Sequence, residues 1–361
     1  MRVLLVTNDY PPRPGGIQQY LGNLTEAIDG EVRILAPAGR GDDPRVIRNR
    51  RRFMWPTRGV REWVVGHVEE FRPDLVLYGA PYPLPTMGPA VRDATGVPYG
   101  VVCYGAEITL PAAFPISRQL LAGPLRKADA LFAISRYTQR KVERLTGRSV
   151  VYVGAGIDVD AFTPGVPPDG DPVIGCVSRF VPRKGQRRVI EAVAELRRQG
   201  SAAGVLLVGK GRDEKRLRRL AAKLEVPVRF EVDVPWSALP GLYREMTVFA
   251  MPCRSRWFGL EVEGLGLVYL EAAASGLPVV AGDSGGSPET VDPGVTGFVA
   301  ASDAHLVEGL RMLLDDPERA ARMGSAGREW VFANYTWPAV AERLRSPFAD
   351  PGSPPPDGRL P

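Results

Sequence analysis

The densest chemistry in the sequence runs from Glu261 to Ala281: Glu261-Val-Glu263-Gly264-Leu-Gly266-Leu267, then Val-Tyr-Leu-Glu271-Ala-Ala-Ala-Ser-Gly276-Leu-Pro278-Val-Val-Ala281. Glu263 precedes a helix and Glu271 lies within it, eight positions on. Eight residues are just over two turns, so the spacing predicts both carboxyls on roughly one side. Gly264 and Gly266 at the helix entry expose N–H groups to an anion, and Ser284-Gly285-Gly286 reads as a second amide-rich turn. Taken alone, Glu263 is equally a helix-start acid stabilised by the dipole. Glu271, amid apolar neighbours, needs a hydroxyl or basic partner if buried. The matching positive charge comes earlier. Between Arg179 and Arg188 lie five basic residues (Arg179, Arg183, Lys184, Arg187, Arg188) and no acid. At a strand's carboxyl end this suits a diphosphate: Arg chelates two oxygens and Lys supplies a point charge. Arg187 and Arg188 also fit a solvated helix face; Arg179, between a buried strand and Phe180, fits a ligand better.

Two glycine turns are weaker signals. Thr7-Asn8-Asp9-Tyr10-Pro-Pro-Arg-Pro-Gly15-Gly16-Ile17-Gln18 ends a strand and opens a helix. It fits a phosphate-facing turn or a flexible loop, and it is neither G-x-G-x-x-G nor a P-loop. Gly209-Lys-Gly211 lacks a third glycine, because Glu214 stands there. It reads as a close-approach turn, not a nicotinamide site. With only His67 and His305, a histidine triad or metal cluster is excluded by counting. Cys103, Cys176 and Cys253 contain no C-x-x-C pair, so neither a disulfide framework nor a zinc site is expected, and a reducing cytosol is the default. The net charge of +5 is too small to imply nucleic acid. Asn8 and Asp9 follow Val3–Val6 too soon for a signal peptide. The longest uncharged stretch, Leu75 to Val91, carries four prolines and cannot be a membrane-spanning helix.

These residues need strands and helices to hold them. Val3–Val6, Val32–Leu35, Leu75–Tyr78, Tyr99–Tyr104, Ala130–Ile134 and Val150–Val153 are short apolar runs of the kind covered on both faces. Ile17–Ile28, Val60–Phe71 and Tyr137–Leu145 alternate with them as helices. The pattern restarts with strands at Val173–Ser178, Gly204–Val208, Val228–Val232, Val248–Met251 and Pro278–Ala281. Helices at Gln186–Arg198, Glu214–Leu224, Leu267–Ala274, Ala304–Leu314 and Pro317–Ala333 accompany that second set. Alternating units imply parallel sheets. The α/β reading is therefore two Rossmann-like domains, residues 1–165 and 166–340, facing across a cleft and parted by the proline-rich segment from Gly154 to Pro172. Ligands in such sheets bind beyond the strands' carboxyl ends. Residues 346–361 hold six prolines and are expected to be disordered.

Arg179 with Lys184, then Glu263, seven residues and Glu271, then Gly276-Leu-Pro-Val-Val-Ala281, resemble the donor site of retaining GT-B glycosyltransferases. Gly156-Ile-Asp158 with Phe162-Thr-Pro164 resembles that superfamily's inter-domain signature. The likeness covers about residues 2 to 340. Within it, Asn8 to Gln18 and Val262 to Glu271 are most similar to actinobacterial phosphatidylinositol mannosyltransferases. The resemblance implies GDP-mannose as donor, a phosphatidylinositol-type glycolipid as acceptor, retained anomeric configuration, no cofactor and no metal. It also implies that the last helices pack back on the N-terminal domain. Residue by residue, Arg179 and Lys184 would hold the diphosphate and Glu263 would face the transferred sugar; these three are the catalytic candidates. Glu271 would bind the ribose. Gly264, Gly266 and Leu267 would offer the helix terminus, and Gly15 and Gly16 would approach the donor phosphate. Val234 would contact the base, although Asp233 stands where the family usually has Gly. Gln18, Tyr104 and Glu107 are the acceptor candidates. Ala106 occupies the slot where many relatives carry His. That departure bears on the sugar's identity, and it keeps a catalytically impaired nucleotide-sugar binder among the alternatives, beside a transferase for another sugar and a soluble acceptor.

Residues 45 to 61 contain seven arginines and no acid, interrupted by Phe53, Met54 and Trp55. Arg48, Arg50, Arg51 and Arg52 with Phe53 and Trp55 suit anionic headgroups, each charge contributing roughly 1 kcal/mol. A solvated loop is the alternative. The expectation is a cytoplasmic protein, peripheral on the inner face of the cell membrane.

Overall fold

The computed structural model describes residues 1–12, 15–105, 107–109, 115–165 and 170–349. It falls into two compact units, Met1–Gly156 with the segment from Trp337, and Ile157–Thr336.

In the first unit, seven parallel strands run in the order β3-β2-β1-β4-β5-β6-β7. They are β1 (Val3–Val6), β2 (Val32–Ala36), β3 (Val46–Arg48), β4 (Leu75–Tyr78), β5 (Tyr99–Cys103), β6 (Ala130–Ala133) and β7 (Val151–Tyr152). Central β1 pairs Val3 with both Val32 and Leu75, and all four of its residues are buried. That double cover is why its sequence is continuously apolar. Edge strand β3 is half-buried and carries Arg48, so it gave no apolar signal. The helices are α1 (Gly16–Ala27), α2 (Arg58–Phe71), α3 (Gly88–Thr95), α4 (Pro115–Lys127) and α5 (Arg136–Thr146). Thr57 caps α2 by accepting the Val60 N–H. The helix buries Val60, Val64, Val68 and Phe71 at helical spacing, each such side chain contributing about 1.5–3 kcal/mol.

In the second unit the sheet order is β10-β9-β8-β11-β12-β13, again all parallel. Its strands are β8 (Val173–Val177), β9 (Gly204–Val208), β10 (Val228–Glu231), β11 (Val248–Met251), β12 (Val279–Gly282) and β13 (Gly297–Ala300). Helices α6 (Gln186–Arg198), α7 (Glu214–Lys223), α8 (Leu239–Tyr243), α9 (Leu267–Ala274), α10 (Asp303–Asp315) and α11 (Pro317–Asn334) accompany them. The strand order reverses direction at β8, between β9 and β11, and at β1 in the first unit. Such switch points open a crevice at the carboxyl ends.

Two expectations are corrected. The units divide after Gly156, within the Gly154–Pro172 segment but ahead of the expected boundary at 165. Ile157 donates its N–H to the Tyr335 carbonyl, and Phe162 is buried edge-on against Tyr243, so this segment is already part of the second core. Disorder from residue 346 is also wrong at its start. Ser346 to Ala349 complete helix α12 (Trp337–Ala349); the remaining tail lies outside the described residues. In α12, Trp337 packs edge-on against Tyr20 at 5.3 Å, over Gly156, where a Cβ would lie 2.4 Å from its ring.

Candidate active site

The basic segment follows β8 as a 3-10 turn, Pro182–Lys184, and turns into α6 at Gly185. Gly185 has φ 82°, and a Cβ there would sit 2.5 Å from the Pro252 carbonyl, so glycine alone lets the turn pass β11. Lys184 thereby points inward. Its Nζ donates to Glu263 Oε2 at 2.6 Å, and Arg183 Nη1 donates to the same oxygen at 2.5 Å. Arg183 also lies 3.5 Å from Glu261, which pairs at 3.4 Å with Arg256. Burial alone would raise the Glu263 pKa, but Lys184 and Arg183 outweigh it and hold the carboxyl below its usual range. Glu263 is thus an ionised, almost fully enclosed carboxylate.

Its backbone is fixed just as tightly. The Glu263 N–H donates to Ser284 Oγ, and its carbonyl accepts the Gly286 N–H at 3.0 Å. At Gly285, φ is 60° and a Cβ would meet that carbonyl at 2.0 Å. The Ser284-Gly285-Gly286 turn, expected to offer amides to an anion, instead holds Glu263 in place. Glu263 also lies outside α9, so helical spacing does not relate it to Glu271. Glu271 sits within α9, buried, and accepts from the Tyr243 hydroxyl at 2.8 Å. Burial pushes its pKa up to about 7, with the tyrosine pulling the other way. The expectation that the two acids share one side therefore gives way to two acids with separate partners. Gly266 caps α9 in a left-handed conformation, with no side-chain bond to the first turn; Gly264 and Leu267 flank that entry.

Arg179 ends β8 exposed, and among the described residues no carboxylate pairs with it. Arg187 pairs with Glu191 on the open face of α6. Arg188, grouped with it as solvated, is instead buried. It donates to Asp303 at 2.5 Å and to the Pro252 carbonyl at 2.6 Å, tying α6 to α10 and β11. Gly209 and Gly211 are close-approach positions: a Cβ would lie 2.2 Å from the Ser178 carbonyl and 2.3 Å from that of Phe180. Val234 is half-buried just past β10. Asp233 before it takes φ 56° and pairs with Lys210, which is how this chain manages a turn that favours glycine. The sequence reading passed over Arg183 and Glu261 as site residues. Their only signal was adjacency, one position from Lys184 and two from Glu263.

In the first unit, Gly15 caps α1, and a Cβ there would clash with Gln18 Oε1 at 2.2 Å. Gln18 turns back and donates to Asp9 Oδ1 at 2.8 Å; Gly16 has open space at its Cβ position. Glu107 accepts the N–H groups of Tyr104 and Gly105, so its carboxyl shapes the loop after β5, and burial raises its pKa. The Tyr104 hydroxyl is buried without a hydrogen-bond partner. Ala106 lies outside the described residues. Within the arginine stretch, Arg48 donates to the carbonyls of Pro11 and Pro37 and belongs to the fold rather than to a docking face. Arg50, Arg51, Arg52, Phe53 and Trp55 are exposed, the two rings 4.9 Å apart, while Met54 between them is buried.

Comparison with known proteins gives this arrangement a context. Residues 160–330 match the model for glycosyl transferases group 1, and residues 14–161 match glycosyltransferase family 4. The chain is 39% identical to the GDP-mannose-dependent alpha-(1-6)-phosphatidylinositol monomannoside mannosyltransferase of Mycolicibacterium smegmatis, over 95% of this chain and 97% of the relative. It is 36% identical to the Mycobacterium tuberculosis protein of the same name, with 95% and 97% covered. A D-inositol 3-phosphate glycosyltransferase of Corynebacterium efficiens matches at 32% identity over 58% of this chain and 53% of its own. Among solved structures, Anabaena Alr3699/HepE in complex with UDP superposes with a TM-score of 0.79 at 19% identity, covering 96% of this chain and 99% of that one. Its likeness is one of fold.

Proposed function

The chain belongs to the group 1 glycosyltransferases, and on that footing we propose that it moves mannose from GDP-mannose onto a phosphatidylinositol mannoside of the membrane. The observation that carries this reading is the near full-length similarity to proteins named for that reaction. The charge cluster of the second unit supports it. Arg183, Lys184 and Arg256 share only Glu261 and Glu263, and Arg179 is exposed with no carboxylate paired to it among the described residues, leaving an excess of positive charge to meet a diphosphate. In the transfer, the bond from sugar C1 to the diphosphate oxygen breaks and a bond from C1 to the acceptor oxygen forms on the same face. The acceptor's proton passes to the departing diphosphate. Arg179 and Lys184 stabilise the charge on that leaving group. Glu263 orients Lys184 and Arg183 and presents a carboxylate oxygen to the sugar. Glu271 accepts from the ribose hydroxyls, and Val234 offers its backbone to the base. In the first unit, Gln18, Tyr104 and Glu107 are the acceptor candidates.

No helix among the described residues is long and apolar enough to cross a membrane. Access to a lipid acceptor then falls to the exposed Arg50, Arg51 and Arg52 with Phe53 and Trp55, docked on the inner face. The test is incubation with GDP-mannose and phosphatidylinositol monomannoside in liposomes, reading mannosylated lipid and released GDP. UDP- and ADP-sugars serve as donor controls. The partial likeness to D-inositol 3-phosphate glycosyltransferases motivates a second reading, a soluble inositol phosphate acceptor. Turnover with that acceptor and none with the lipid would replace the first reading by the second.

A further inference from the structure

The loop from β11 to α9 doubles back before it reaches Glu263. Arg256 and Glu261 form an antiparallel bridge with both backbone bonds made, at 2.9 and 3.2 Å. Their side chains pair at 3.4 Å, Glu261 also reaches Arg183, and Arg254 is anchored on Asp303 at 3.0 Å. The base of the loop is therefore rigid and continuous with the cations beside Glu263, through Glu261 and Arg183. Its tip is Trp257, Phe258 and Gly259, with φ of 49°, 54° and 86°. Only the glycine takes that conformation without penalty; for two bulky side chains in succession it is an outlier. Backbone strain of this kind persists where the surroundings impose it, and it clusters at functional sites. What the strain achieves is display. Phe258 is wholly exposed, and Trp257 is 60% exposed with one ring face under the Arg256 guanidinium at 5.0 Å.

We propose that Trp257 and Phe258 form a stacking platform for a ring of the acceptor's headgroup, a pyranose or a cyclitol, next to the transferred sugar. The C–H faces of such rings carry slight positive charge and match the negative face of an aromatic ring. Arg254 and Arg256 are tied down at the base by Asp303 and Glu261, so what the tip itself offers a ligand is its aromatic faces. A strained tip on a rigid base also suits a contact of fixed geometry, since pre-organisation lowers the ordering cost of binding. In the proposed reaction the cations and Glu263 take the donor, and the tip, joined to them through Glu261 and Arg183, offers a separate surface for the acceptor. The inference rests on the glycolipid reading above only in its choice of acceptor.

The experiment measures binding of the deacylated phosphatidylinositol mannoside headgroup by calorimetry in the presence of GDP, beside turnover of the wild type with GDP-mannose. Phe258→Ala and Trp257→Ala should each weaken headgroup binding about three- to tenfold, with GDP affinity unchanged. Phe258→Tyr should bind as the wild type does. Phe258→Leu, which keeps apolar bulk but has no π face, should bind as poorly as the Ala variant. Phe258→Gly, which relaxes the backbone, should melt no lower than the wild type and still bind poorly, separating stacking from folding. A Leu variant equal to the wild type would overturn the platform in favour of a plain apolar contact, and unchanged affinity in both Ala variants would overturn it outright. Headgroup binding without mannosyl transfer would sink the proposed reaction and leave the platform standing. No headgroup binding by the wild type would sink both.

Discussion

Lys184 and Glu263 make opposite demands on stability and binding, and Lys184→Ala separates them. Both side chains are about nine-tenths buried, and their contact is 2.6 Å. Removing one partner of a buried pair costs about 3–5 kcal/mol, because the other charge is left without compensation. Here Arg183 still donates to the same oxygen, so about 2–3 kcal/mol is expected. For a unit of this size that is a fall in melting temperature of roughly 4–12 °C. Arg179→Ala removes an exposed, unpaired cation and should stay within about 0.5 kcal/mol of the wild type. Nucleoside diphosphate affinity should nevertheless fall in both, roughly ten- to a hundredfold, as expected for loss of a charge-assisted bond worth about 1.5–3 kcal/mol. The pH dependence has a definite sign. Because the Glu263 pKa is depressed, the stability it contributes is present above the ordinary carboxyl range and is lost as pH falls through the lowered value. Losing Lys184 raises that pKa, so the melting temperatures of variant and wild type should converge at acid pH. Differential scanning calorimetry from about pH 2 to 8, with GDP titrations at pH 7.5, reads all of this. Equal melting temperatures at neutral pH would refute the pairing argument, as would a larger loss in Arg179→Ala than in Lys184→Ala.

Glu271, raised to about 7 by burial, should bind ribose hydroxyls best when ionised. GDP affinity should then rise through pH 7 with proton release, and Glu271→Gln should flatten that part of the profile; an unchanged profile in the variant would remove Glu271 from the donor site. The diphosphate charge is assigned to Arg179, Lys184 and backbone amides, so turnover should persist in excess EDTA, and its abolition would count against the assignment. Replacing Arg50, Arg51 and Arg52 by Ser should cut binding to anionic liposomes at low salt, where screening is weak, and spare both neutral liposomes and GDP affinity. Equal anionic binding by variant and wild type would favour the soluble acceptor. Gly285→Ala places a Cβ 2.0 Å from the Glu263 carbonyl in a left-handed turn. It should reduce kcat by at least tenfold with little change in GDP affinity, and normal kcat would show that the turn does not hold Glu263.

What the sequence disclosed and what it withheld follow from how each feature is encoded. Central strands such as β1 and β8 are covered on both faces, so a continuous apolar run marks them. Edge strands β3 and β13 are partly wetted, and each offers only two or three apolar residues beside Arg48 or Gly297, too few to mark a strand. Helices α3 and α4 carry Gly88, Pro89 and Pro124 and read as punctuation. The motif proposed to hold the donor stood out in sequence because Arg179 with Lys184, and Glu263 with Glu271, each lie within one short segment. Its internal wiring did not, since Arg183 and Lys184 lie some 80 positions from Glu263 and meet it only because β8 and β11 are neighbours in the sheet.

The same limit explains why Gly285 was misread as part of an amide-rich turn open to an anion, while Gly209 and Gly211 were read correctly as close-approach positions. Gly185 belongs with them. In the fold each lies against a backbone carbonyl at 2.0 to 2.5 Å from its Cβ position, so their smallness serves protein packing. Trp257 and Phe258 invert that logic. They occupy left-handed positions that glycine would fill without strain; Phe258 buries nothing in return, and Trp257 is 60% exposed with one face against Arg256. For Phe258 above all, a side chain that costs backbone energy and contributes no packing is explained by what it touches from outside. That is why this tip, rather than any glycine turn, is where acceptor recognition should be sought.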